Sequence, residues 1–193
     1  MPAKRIRDIV GRDAIALLKK DHQKVKSLLK KLEKSKNREV RRNLFQQIDH
    51  DLQAHTEIEE EFFYPAFQSA VKNGGKQKLY YEAIEEHHVV DLILPELRTS
   101  DLRSETFAAK VKVLKDVVEH HIEEEETQMF PAARKAMSAG RLRELGIKIA
   151  QRQDQVAAGM WDRALAVLNP FARRTTRTMP TSVVRTATKR RAA

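Results

Sequence analysis

The chain contains no cysteine. That absence excludes disulfides, thiol nucleophiles and thiolate metal sites together, and it fits a reducing compartment. Glycine and proline number only six each, too few for turn-rich β structure and suited to long helices. No window approaches the ~18 apolar residues of a membrane span. The N-terminal MPAKRIRDIVGRDAIALLKK is basic but has no apolar run of the signal-peptide kind, so a cytoplasmic protein is expected. There is no Gly-rich phosphate loop and no nucleophile elbow, and no catalytic residue is assigned.

What is present is enough for one ordinary domain: 193 residues, 41% hydrophobic and 33% charged. The formal net charge is +10, but residues 169–193 hold seven Lys/Arg and no acid, which leaves +3 for the first 168 residues. The basicity is mainly a property of the end of the chain, and says little about the folded body.

Helical periodicity dominates. The spacing predicts a first helix from about Arg12 to Lys36, with Ile15, Leu18, Val25, Leu29 and Leu32 on one stripe and His22 among them. A second runs from about Arg38 to Lys72 with the stripe Phe45, Ile48, Leu52, His55, Glu59, Phe62, Ala66, ending at Asn73-Gly74-Gly75; Pro65 should kink it. A third, from about Lys76 to Arg98, places His87 on the stripe Tyr80, Ile84, Val90, Leu94, Leu97, with Pro95 disturbing its last turn. Ser100 or Asp101 is expected to cap a fourth that reaches about Ser138. Its stripe is Val111, Leu114, Val118, His121, Glu125 and Ala132, with Gln128 as a polar lapse. A fifth amphipathic helix spans roughly Arg141 to Leu168, with Leu145, Ile149, Val156, Met160 and Trp161 on its apolar face. The Arg/Thr-rich remainder reads as a flexible tail. The expected organisation is all-α: an up-and-down four-helix bundle over 12–138, an added helix over 140–168 and a basic tail over 169–193.

The bundle is written twice. HTEIEEEFFYP (His55–Pro65) and HIEEEETQMFP (His121–Pro131) share His ten residues and Glu six residues before the proline. Upstream, His22 and His87 are each followed by apolar residues at +3, +6, +7 and +10. The chain therefore repeats an αα-hairpin with His on its first helix and His-x-x-x-Glu on its second. His50, His88 and His120 lie off the stripes and are expected at the surface or behind the site.

Residues i and i+4 on a helix point the same way, so His55/Glu59 and His121/Glu125 each present an imidazole and a carboxylate to a shared point. His22 and His87 add one imidazole each. Six such groups in one core layer are prohibitive unless paired, and a metal removes the difficulty. Two bridging glutamates would link two ions, each also held by two histidines. Mixed N/O ligation suits iron, with manganese or zinc as alternatives, and the donor count leaves positions open to a small molecule. The remaining glutamates of the runs Glu59–Glu61 and Glu123–Glu126 read as solvated faces. Phe62, Phe63, Tyr64, Met129 and Phe130 read as packing beside the site, with Tyr64 or Tyr81 as an open candidate to stand behind the ligands.

These residues resemble the hemerythrin-like, or HHE cation-binding, domain. KKDHQKV, HTEIEEEFFYP, EEHHVVDLILPEL and HHIEEEETQMFP carry the resemblance over about residues 12–138. It implies a four-helix bundle with a non-haem centre of two iron ions, and, position by position, the ligands His22, His55, Glu59, His87, His121 and Glu125. Two departures stand out. The oxygen carriers have a second histidine one turn after the first on the third helix, where this chain has Asp91. Their last carboxylate is an Asp five residues after the fourth-helix histidine, where this chain aligns Glu125 at four and has Glu126 at five. Oxygen, nitric oxide, peroxide or iron sensing are the functions left open by this divergent pattern. Two other classes compete with them. One is a ferritin-like oxidase or peroxidase, which wants Glu-x-x-His pairs, of which only Glu85-x-x-His88 occurs, off the stripe. The other is weak binding of nucleic acid or an anionic surface through residues 170–193.

Overall fold

The computed structural model describes residues 13–71 and 76–168, with side chains as far as Ala158. The expected stop at Asn73-Gly74-Gly75, the basic tail, and the Met160 and Trp161 side chains lie outside what it describes. The chain divides into two units, Met1–Val156 and Ala157–Ala193; the bundle and its core belong to the first. Among the described residues there is no strand, and no helix is long and apolar enough to cross a membrane.

Helix α1 is Ala14–Lys34, begun by Asp13, whose Oδ1 accepts the Ala16 N–H. Helix α2, Arg38–Ile58, begins at Asn37, whose Oδ1 accepts from Glu39 and Val40 N–H. Each cap satisfies N–H groups that the first helical turn leaves without partners. Helix α4 is Gln77–Thr99 and helix α5 Glu105–Glu124. The fourth bundle helix starts later than expected. Ser104 Oγ, not Ser100 or Asp101, accepts the Phe107 N–H. Ser100 instead donates its hydroxyl back to the Glu96 carbonyl, and the Asp101 carbonyl receives the Ser104 N–H. The intervening turn therefore moves the cap three residues along. Pro95 lies exposed within α4, and the helix continues past it to Thr99.

Both second helices of the repeat change pitch at their glutamate. Glu59–Phe63 forms a π-helical turn leading into α3 (Tyr64–Ala70), and Glu125–Met129 forms another leading into α6 (Phe130–Ala136). The prolines account for this. Pro65 and Pro131 lack an N–H, and their rings crowd the carbonyl four residues back, so the helix widens by one residue upstream. The Tyr64 and Phe130 N–H groups accordingly bond to the Glu59 and Glu125 carbonyls, five residues back.

The extra residue slips the inward face by one position. Phe63 and Phe67 are buried where the plain period named Phe62 and Ala66, and Met129 and Ala133 where it named Gln128 and Ala132. The polar lapse at Gln128 is thereby explained, because that side chain is exposed.

The core falls into two apolar clusters. One contains Leu18, Ile58, Phe63, Phe67 and Phe130; the other contains Leu29, Ile48, Leu52, Leu94 and Leu114. Helix α7 (Ala139–Leu168) adds Leu142, Leu145, Ile149 and Ala150 to the first. In each bundle helix the break between clusters falls at the residues the repeat singled out. Arg41 ties the far ends together: it donates to the carbonyls of Ser35 and Leu102, and its guanidinium lies 5.5 Å from the Phe107 ring centre.

Candidate metal centre

Between the two apolar clusters lies a layer of six polar side chains: His22, His55, Glu59, His87, His121 and Glu125. All six are buried, and both glutamates are at most 1% exposed. The structure brings together all six residues singled out in the sequence. Asp91 is exposed on α4, and His88 and His120 are also exposed.

The donors form two overlapping groups. His22, His55, Glu59 and Glu125 make one, Glu59, His87 and His121 the other, each with its donor atoms within 4.8 Å of one another. Glu59 faces both groups. Its Oε1 is 3.2 Å from His55 Nε2, and its Oε2 is 3.5 Å from His87 Nε2. Glu125 Oε2 lies 3.1 Å from His22 Nε2 and 3.7 Å from His121 Nε2. The two carboxylates thus span the two histidine pairs, as bridging ligands do.

Two observations test whether these residues suit a metal cation. First, Glu59 Oε1 and Glu125 Oε2 are buried without a hydrogen-bond partner although imidazole nitrogens stand close by. These oxygens and the imidazole nitrogens crowd together, with the donor atoms of each group within 4.8 Å of one another. Second, His22 Nε2 is 3.1 Å from His55 Nε2, and His87 Nε2 is 3.3 Å from His121 Nε2. Two nitrogens that would share one ion, each ~2.1 Å from it, have to approach one another about this closely. The donor set fits.

The outer nitrogens are held by acids that the sequence hides in runs of charge. His22 Nδ1 donates to Glu126 at 3.0 Å, His87 Nδ1 to Glu60 at 2.8 Å, and His121 Nδ1 to Glu86 at 2.8 Å. A carboxylate can only accept here, so each Nδ1 carries the proton and each Nε2 is left to face inward. The expectation that these glutamates are merely solvated faces fails for Glu60 and Glu126. Both keep water on one side while anchoring an imidazole on the other. The signal was the position next to Glu59 and Glu125, but nothing in a run of glutamates distinguishes that role.

Tyr64 is fully buried and enters the layer. Its hydroxyl donates to Glu125 Oε1 at 3.1 Å, and lies 3.4 Å from Glu59 Oε2 and 3.3 Å from His87 Nε2. Burial, then the charges of Glu125 and Glu59, push its pKa well above the usual tyrosine value, so it is a neutral donor. It reaches the centre because the π-helical turn precedes it.

In the metal-free protein the layer holds protons tightly. Burial opposes the charged form of His22, but the nearby carboxylates of Glu125 and Glu59 outweigh it and raise its pKa to about 10. His121 and His87 are also raised against their burial, by Glu125 and Glu59 and by Glu59 respectively. Burial would raise Glu59, but His55, His121 and His22 hold it well below the carboxylate range.

Beside the four imidazoles is a cavity of about 20 Å³, walled otherwise by Val25, Leu52, Thr56, Val90, Val118 and Ile122. It exceeds the ~10–15 Å³ that one water needs by little, so it admits a small molecule and nothing bulky.

Comparison with known proteins agrees with this geometry. The model of the hemerythrin HHE cation-binding domain matches residues 13–133. A DNA nickase of Nostoc sp. is 32% identical over 123 residues, 64% of this chain, but the match spans only 34% of that protein's length. The uncharacterized protein Rv2633c of Mycobacterium tuberculosis is 34% identical over 146 residues, covering 75% of this chain and 87% of the other. The crystal structure of a hemerythrin HHE cation-binding domain-containing protein, the Rv2633c homolog from Mycobacterium kansasii, superposes with a TM-score of 0.67 at 31% identity. That alignment covers 77% of this chain and 89% of that one. The repeated hairpins, the buried histidine–glutamate layer and these similarities lead to one conclusion: the chain belongs to the hemerythrin HHE cation-binding domain family, a family of metal-binding four-helix bundles.

Proposed function

We propose that the chain holds a non-haem centre of two iron ions that binds or senses a small molecule: dioxygen, nitric oxide or peroxide. His22 and His55 would serve one ion and His87 and His121 the other, with Glu59 and Glu125 bridging. The observation that carries this reading is a shared buried carboxylate layer, one oxygen of each glutamate without a hydrogen-bond partner, beside a cavity too small for an organic substrate. Iron there supplies open coordination positions and electrons for a diatomic or peroxide ligand. The chain's own residues do the rest. Glu126, Glu60 and Glu86 fix three imidazoles in the tautomer that offers Nε2. The apolar wall keeps bulk water and charged solutes out. Tyr64 presents a neutral O–H at the edge of the layer, held by Glu125.

Elemental analysis and optical titration test the proposal. Wild-type protein should carry about two irons per chain and change its spectrum with at least one of the three ligands. His55→Ala and His121→Ala should each lose iron, and iron retention equal to wild type in both would sink the reading. Peroxide turnover by the loaded protein, absent from the metal-free form, would favour the enzyme alternative over a carrier or sensor.

A second reading concerns residues 170–193, whose excess of Arg and Lys over acids suits phosphate contacts. A relative named for action on DNA gives it a further reason. Deleting this segment should abolish salt-dependent duplex binding by the full chain; binding that survives the deletion removes the idea.

A further inference from the structure

Each imidazole of the layer faces an acidic residue of a neighbouring helix across its outer nitrogen. Each of these acids is a sequence neighbour of an inner residue: Glu60 follows Glu59, Glu126 follows Glu125, and Glu86 precedes His87. The pattern requires a fourth, Asp21, which precedes His22 and faces His55. Three of the contacts are closed at 3.0 Å or less, but the fourth is open. Asp21 Oδ2 stands 4.0 Å from His55 Nδ1, beyond hydrogen-bond reach, and that buried nitrogen has no partner.

Asp21 has instead a partner from outside the bundle. Gln153 of α7 donates from Nε2 to the same Oδ2 atom at 2.6 Å. The adjacent Arg152 pairs with Glu57 and with Glu61, on either side of Glu59, and so fixes this turn of α7 over the His55 side of the layer. Both residues lie beyond the stretch 13–133 that the family shares.

We propose that Gln153 is a positioning residue for the metal centre. By engaging Asp21 it leaves His55 as the one imidazole without carboxylate support, and so makes the two metal positions unequal. A carboxylate behind a ligating imidazole raises its basicity and fixes its ring, and losing one typically weakens metal affinity ~10–100-fold. Helix α7 therefore does more than cover apolar surface: it sets the strength of one ligand. This inference rests on the di-metal reading above.

The test is an anaerobic calorimetric titration of metal-stripped, full-length protein with Fe(II), for wild type, Gln153→Ala, Asp21→Asn and the double variant. Wild type should bind in two resolved steps. Gln153→Ala frees Asp21 to close on His55, so its weaker step should tighten by roughly 3–10-fold, short of the full effect of such a partner, while the stronger step stays within about twofold. The double variant should lose the gain, which isolates the route through Asp21. In the metal-free proteins a hydrogen-bonded His55 Nδ1–H resonance should be present downfield in Gln153→Ala alone, a change that mere loss of a helix contact does not produce. Unchanged or uniformly weakened steps in Gln153→Ala would reduce Gln153 to a clamp and overturn the proposal, as would a gain that persists in the double variant. A wild type that binds no iron overturns the di-metal reading itself, and this inference with it. Two irons with identical titrations in all four proteins overturn this inference alone.

Discussion

Stripped of metal, the protein should lose stability as the pH rises, for reasons that lie in the buried layer. His22 is 1% exposed, and burial disfavours its charged form, yet Glu125 and Glu59 raise its pKa to about 10. In the unfolded chain the same imidazole titrates near 6.5. A group whose folded pKa is raised contributes stability that is fully present below the unfolded value and is lost as the pH climbs through the folded one. The window therefore runs from about pH 6.5 to about 10. Within it each pH unit costs about 1.4 kcal/mol for one such group, or about 3 kcal/mol by pH 9. That is a large share of the ~5–15 kcal/mol of a typical domain. His87 and His121 shift in the same direction and add to the trend. Physically, deprotonation leaves Glu59 and Glu125 charged in the core without compensation. Metal reverses the slope, since cations compete with these protons and bind better as the pH rises. Urea denaturation of chelator-treated protein from about pH 6 to about pH 9, beside the iron-loaded form, reads both slopes. Metal-free stability that stays flat or increases over this range would show that the raised imidazoles do not hold the layer together.

Further expectations follow from single contacts. Tyr64→Phe removes the donor to Glu125 and should destabilise the metal-free protein by about 1–3 kcal/mol in thermal or urea melts, without abolishing iron binding. Val118→Phe fills the cavity beside the imidazoles. It should leave iron content unchanged but slow the optical response to dioxygen or nitric oxide at least tenfold, at an overpacking cost of about 1–3 kcal/mol. Arg41→Ala deletes the donors to the Ser35 and Leu102 carbonyls and the contact over Phe107. It should lower stability by about 1–3 kcal/mol while the metal titration stays as in wild type.

The sequence displays the bundle and the six inner residues because both obey periodicity. His22, His55, His87 and His121 stand at positions where a helical stripe demands apolar residues, and a doubled violation at matched spacing is visible without a structure. The π-helical turns were not visible, because the 3.6-residue period was carried straight through Glu59 and Glu125. Pro65 and Pro131 marked the disturbance, but a proline alone does not say whether a helix kinks, ends or widens. The slip it causes exchanges Phe62 for Phe63 and Gln128 for Met129, and brings Tyr64 into the layer. The outer acids were hidden for another reason. Glu60, Glu126 and Glu86 sit among other glutamates, and a side chain that anchors an imidazole while touching water has no periodic signature. The contact of Gln153 with Asp21 spans 132 residues and could come only from the packed structure.

The proposed function stands on two metal ions held in the buried layer. The most direct measurement is metal content per chain, by elemental analysis of untagged protein purified without chelator from iron-supplied cells, with His55→Ala and His121→Ala alongside. About two irons per wild-type chain are expected, with a loss in each variant. A folded wild-type protein that carries no metal, and takes none up from anaerobic Fe(II), would contradict the di-metal reading.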